Sequence, residues 1–150
     1  MRILRYTLCI LLLPLYLIGQ EATLEETVAS LKTKISISQK GEKLVLLDSL
    51  ARLVEFNEDY GYSTLAEETI KLGIELDSIA LATAMAADQL FYTINVLNKP
   101  ERGLDLYESY LKKIPRLETT PVSANLYLYA GDGYNSFGQY RSLRPISKEP

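Results

Sequence analysis

The sequence predicts an all-α protein. Three observations carry this. Apolar residues recur at helical spacing from Leu24 to Tyr140. No stretch alternates over the length of a strand, "KISIS" at 34–38 being too short and isolated. Prolines and scattered glycines then divide the chain into six helical segments joined by short loops.

The first twenty residues stand apart from that pattern. "MRILRYTLCILLLPLYLIGQ" places Arg2 and Arg5 ahead of an uncharged apolar run from Tyr6 to Ile18, followed by Gly19 and Gln20. This is the order of a secretory signal peptide, with cleavage expected near Gly19 or Gln20. The run reaches about 20 Å as a helix, short of the roughly 30 Å a bilayer core requires. An uncleaved anchor is the alternative. Leu8 stands before Cys9 where a lipoprotein site needs a small residue, so lipidation is rejected.

Residues 21–41 hold the first helix, with Leu24, Val28, Leu31 and Ile35 on one face. Residues 42–140 continue as a helical series. The second helix turns Leu44, Leu47, Leu50, Ala51 and Val54 inward. In "STLAEETIKLGIEL", Thr64 and Glu67 have capping-box spacing and Leu65, Thr69, Leu72 and Leu76 share a face. "DSIALATAMAADQLFYTINVL" follows with Asp77 as N-cap. Asn98 and Glu101 repeat the capping spacing ahead of "ERGLDLYESYLKKI", with Pro100 in its first turn. Thr120 and Pro121 read as N-cap and first residue of "VSANLYLYAGDGYNSFGQY". Residues 141–150 are an irregular tail.

Composition excludes most chemistry. The chain has no histidine, and its one cysteine, Cys9, leaves with the signal peptide. Catalytic triads, thiolate metal sites and disulfides are thereby lost to the mature chain. An exported chain without disulfides fits the bacterial periplasm. Losing Arg2 and Arg5 makes a chain of 16 basic and 19 acidic residues more acidic still, which gives no footprint for nucleic acid. The carboxylate pairs Glu25–Glu26 and Glu67–Glu68 are helix neighbours that diverge by about 100°, so they read as solvated surface. "GDG" at 131–133 lacks the ligands of a calcium or phosphate loop. "DSL" at 48–50 and "DSI" at 77–79 match a bacterial O-glycosylation acceptor, at a length that chance supplies easily. Tyr107, Tyr110, Tyr127, Tyr134 and Tyr140, among eleven tyrosines, have core spacing rather than that of a carbohydrate platform. No enzymatic activity, metal or cofactor is expected.

"YAGDGYNSFGQY" at 129–140 sets the register of an internal repeat. Three glycines in one helix should cost about 1 kcal/mol each relative to Ala. Tyr127, Ala130, Gly131, Tyr134, Gly138 and Tyr140 together resemble the first helix and turn of a tetratricopeptide repeat. In that reading Gly131 admits the partner helix closely, Gly138 makes the turn, and Gly133 falls in neither slot. Upstream, Leu90, Ile94 and Asn98 match the same helix and turn, and Gly103, Tyr107, Tyr110 and Pro115 match the second helix and its terminal proline. Phe91 departs from the pattern at a small-residue position, as does Tyr110 in place of Ala. Leu50, Leu53, Val54, Asn57, Gly61, Ala66, Ile70 and Gly73 form a still earlier copy. The spacing is somewhat longer than the family's period of about 34.

The resemblance implies an α-solenoid of antiparallel helix pairs whose last repeat is incomplete, because Tyr127, Ala130, Tyr134 and Phe137 lack a following helix. The expectation is a sequence truncated or frame-shifted after Tyr140, or a face open to self-association or to a partner's helix. The expected function is binding of a protein or peptide in the concave groove. The mature chain holds no membrane span, and the module would be the N-terminal part of a longer bacterial signal-transduction protein. A periplasmic scaffold or envelope-assembly protein is the alternative.

Overall fold

The computed structural model describes residues 23–136, which form six α-helices with no strand among them. Helix α1 spans Leu24–Ile37 and opens on a capping box: the Thr23 hydroxyl accepts from the Glu26 N–H at 3.2 Å, and the Glu26 carboxylate accepts from the Thr23 N–H at 3.0 Å. Of its expected apolar face, Val28 is buried, Leu31 and Ile35 pack at the edge of the core, and Leu24 is exposed. The chain breaks at Ser38–Gln39 and re-enters helix α2, Lys40–Leu53, so the expected boundary at 41/42 falls in the first turn of α2. Leu44, Leu47, Leu50, Ala51 and Val54 are all buried, on the face the sequence indicated.

Helix α3, Tyr62–Glu75, begins two residues before Thr64, which therefore caps nothing. The reason lies in the preceding turn. A short 3₁₀ segment, Glu58–Tyr60, runs directly into Gly61, whose φ of 81° only glycine adopts cheaply, and the helix starts at the next residue. Helix α4, Ile79–Phe91, has Ser78 at its N-cap position without a side-chain capping bond; Asp77, expected there, instead follows α3 in a left-handed conformation. Three alanines, Ala82, Ala86 and Ala87, are buried in α4, and its neighbours approach closely: a Cβ on Gly73 of α3 would lie 3.1 Å from that of Ala82. Tyr92–Val96 continues α4 as a π-helical turn, with the Leu97 N–H donating to the Tyr92 carbonyl at 2.9 Å.

Asn98 closes that turn with φ 51°, so Lys99 rather than Asn98 precedes helix α5, Pro100–Lys113. Pro100 occupies its first turn as expected. Thr120 does not cap helix α6, Ser123–Ser136: its hydroxyl donates back to the Leu117 carbonyl at 3.0 Å, closing the 3₁₀ turn Leu117–Thr119. Phe56, Asp77, Asn98 and Arg116 follow α2, α3, α4 and α5, each with positive φ. Asp77 and Asn98 stand directly after the C-caps of α3 and of the π turn, where glycine is the usual left-handed occupant. Phe56 lies further along its turn, and Arg116 precedes the 3₁₀ turn after Ile114 has ended α5 in an extended conformation. Asn98 and Asp77 are of types that tolerate this conformation, and Phe56 and Arg116 are not.

From α1 to α4 each helix packs on the next; α5 packs on α6 and on the π turn, and α6 also packs on α4. Helix α4 is therefore the centre of the fold. A matching burial pattern opens at Leu47 in α2, Thr83 in α4 and Ser123 in α6, each followed by buried residues three and seven positions on. This lies about one helical turn ahead of the register drawn from "YAGDGY".

Candidate functional site

The fourteen residues picked out as repeat positions do not share one environment. Leu50, Ala66, Leu90, Ile94, Gly103 and Ala130 are buried. Gly61, Tyr107, Tyr127, Gly131 and Tyr134 are half-buried, while Leu53 and Pro115 are exposed. Gly138, like Phe137, Tyr140, the expected signal peptide at 1–20 and the expected tail at 141–150, lies outside the described residues. Gly133, which had no slot, is the buried glycine of α6: a Cβ there would stand 3.0 Å from Ile94 Cδ1 and 3.1 Å from Leu104 Cδ2. Leu126, fully buried, was overlooked because the glycine-based register began at Tyr127.

A row of rings crosses the α2, α4 and α6 segments. Phe56 lies 5.6 Å from Phe91, and Phe91 lies 5.1 Å from Tyr129, centroid to centroid. These three rings are half-buried. Beneath them Tyr62 and Tyr92 are almost fully buried, each within aromatic contact of Phe56 and of the other. Phe56 itself has a left-handed backbone, φ 60°, uncommon for a bulky residue. Phe91, the residue that breaks the small-residue pattern, is the middle member of the row. Sequence periodicity gave no sign of this, because Phe56 belongs to a turn.

Beside the row, Ala51, Arg52, Glu55, Phe56, Tyr62, Met85 and Asp88 line a partly open cavity of about 20 Å³. Arg52 donates through Nε to both carboxylate oxygens of Asp48 at 3.1 Å, whereas its closest approach to Asp88 is 3.9 Å. The Tyr62 hydroxyl is buried with no hydrogen-bond partner among the described residues. Burial is also what drives its pKa far above the ordinary tyrosine value. The polar neighbours further inside are satisfied: Tyr110 donates to the Gln89 side chain, which donates to the Ser63 carbonyl at 3.4 Å. Tyr107, meeting Tyr127 edge-on on the α5–α6 side, has its pKa raised to about 12, chiefly by burial.

Burial pushes the Asp88 carboxyl above its usual range; Arg52 opposes this, and Glu55 and Asp48 reinforce it. A pKa higher in the folded than in the unfolded state means that the charged form opposes folding. Wild type should therefore gain stability relative to Asp88→Asn as pH falls from neutrality through the folded-state pKa. Paired urea melts at about pH 7 and about pH 4 check this; a relative loss for wild type on acidification would show the carboxylate to be net stabilised.

Wider hollows lie elsewhere. One of about 510 Å³ is bordered by Asp77, Ser78, Arg116 and Thr120, and one of about 360 Å³ by Lys40, Lys43, Lys71 and Glu75. The ion pairs Asp77–Arg116 and Lys40–Glu75 hold them, with all four side chains largely exposed. No group of three His, Cys, Asp or Glu residues among the described residues could hold a metal ion. None of the helices described is long and apolar enough to cross a membrane.

These features define a class: an all-helical, repeat-like protein with a half-buried aromatic row beside an acidic cavity. No protein-family model matches the chain, and no curated protein or solved structure matches it.

Proposed function

We propose that the chain is a non-enzymatic, exported binding module, a tetratricopeptide-like solenoid that takes a protein or peptide partner along one groove. The observation that carries this reading is the row Phe56–Phe91–Tyr129, drawn from the turn after α2 and from helices α4 and α6 and left half-buried. Rings fixed by neighbours yet still reachable are the usual anchors of protein interfaces, since they bury much area at little entropic cost. The tetratricopeptide resemblance supplies the solenoid geometry, the signal-like leader supplies export to the periplasm, and the resemblance further assigns the module to the receptor part of a bacterial signal-transduction protein.

Selection of a displayed random-peptide library on the full chain tests the reading. Selected peptides are expected to bind wild type and to lose about tenfold or more in affinity for Phe91→Ala, a typical anchor loss. A thermal melt of the variant establishes that it remains folded. Failure to select any peptide, or equal binding by folded Phe91→Ala, overturns the proposal.

A further inference from the structure

We infer that the cavity between Arg52, Glu55, Tyr62 and Asp88 is a socket for the ε-ammonium group of a lysine side chain presented by the partner; this rests on the peptide-binding reading above. The first ground is charge. The Arg52 Nε–H is shared between both carboxylate oxygens of Asp48 at 3.1 Å and its guanidinium comes no nearer than 3.9 Å to Asp88, so one cation faces Asp48, Asp88 and the cavity-lining Glu55. The second is the Tyr62 hydroxyl, buried and without a partner, on a residue only 2% exposed. A buried polar group left unsatisfied costs stability, and an entering ammonium N–H would give its oxygen a donor.

The third ground is size. A volume of about 20 Å³ accepts one water-sized group. An ammonium head fits that description, and a planar guanidinium does not. The carboxylates are not clustered for a metal ion. At its border the half-buried ring of Phe56 offers an aromatic surface to the methylenes that would lead to the ammonium group. Removing Arg52, the resident cation, should then strengthen binding of an external one, whereas a cluster that only stabilises the fold would gain nothing.

The test uses the full chain and the probe acetyl-Ala-Ala-Lys-Ala-Ala-amide, with Arg and Ala at the central position as controls, followed by NMR titration. The Lys peptide is expected to shift the resonances of Glu55, Tyr62 and Asp88 saturably and to bind about tenfold more tightly than either control. Glu55→Gln and Asp88→Asn should each weaken it about tenfold, Tyr62→Phe severalfold, and Arg52→Ala should tighten it. Tyr62→Phe removes an unpartnered hydroxyl, so it stays folded, and exposed Glu55 is a second site where loss of fold is not expected.

Equal binding of the Lys and Arg peptides, or none, overturns the socket, as does indifference to Glu55→Gln and Asp88→Asn. The two readings fail separately. Selected peptides that need Phe91 but ignore Glu55→Gln keep the binding function and remove the socket. A Lys-specific response with no peptide dependent on Phe91 removes the aromatic groove and leaves the socket standing.

Discussion

Leu90→Ala is expected to destabilise the protein by about 2–5 kcal/mol, enough to abolish much of a domain's net stability. Leu90 is fully buried near the end of α4, the helix on which α3 and α6 both pack. Truncation there removes apolar area and leaves a hole that surrounding helices close only in part, because their positions are fixed by close approaches such as Gly73 to Ala82. Lys112→Ala, on an exposed position of α5, should stay within about 0.5 kcal/mol of wild type. Leu53→Ala is the more informative comparison. The repeat register places Leu53 inside, but it is 42% exposed, so its loss should cost well under half that of Leu90. Urea melts of the three variants with unchanged slopes decide the matter. Equal effects at Leu53 and Leu90 would mean that the repeat register, not the packing described above, locates the core.

That comparison also marks what the sequence can disclose. Six helices were legible because apolar spacing is a local property, and the inward face of α2 was read residue by residue. Helix starts were less so. Thr64, Asp77, Asn98 and Thr120 all have the right chemistry for a cap, yet each is displaced by a residue or more. The cause is shared: left-handed residues and 3₁₀ turns at the corners use backbone that capping would need, and two of those left-handed residues are Phe and Arg, which carry no such signal. The Thr23–Glu26 capping box could have been found, since Thr-x-x-Glu stands immediately before an apolar run. The candidate site could not. Phe56 reaches Phe91, and Asp88 faces Arg52, only through the packing of separate helices, and the unpartnered hydroxyl of Tyr62 is a property of its surroundings.

Gly103→Ala is expected to destabilise the protein, and to stabilise it once Ile94 is also replaced by Ala. In an exposed helix interior, exchanging Gly for Ala gains about 1 kcal/mol. At Gly103 the new methyl would stand 2.2 Å from Ile94 Cγ1 and 2.8 Å from Cδ1, inside any permitted contact. Ile94 cannot simply swing aside. It is buried in the π turn, between α5 and the Gly133 segment of α6. Overpacking of this kind costs about 1–3 kcal/mol or more, which outweighs the helix gain. Ile94→Ala alone should cost about 2–5 kcal/mol by leaving a cavity. On that background the obstructing atoms are gone, so Gly103→Ala recovers its helix gain and refills part of the space. A coupling of roughly 2 kcal/mol or more in the double-mutant cycle is the expected result. Gly133→Ala, which meets only the ends of Ile94 and Leu104, should be milder than Gly103→Ala. A stabilising Gly103→Ala in otherwise wild-type protein would mean that α5 is not seated on Ile94. The consequence would reach the candidate site, because the π turn that carries Ile94 also carries Tyr92 and follows directly on Phe91. Seating α5 therefore fixes where the rings of α4 stand relative to Phe56 and Tyr129, and a loosened seat should blunt any ligand's dependence on Phe91.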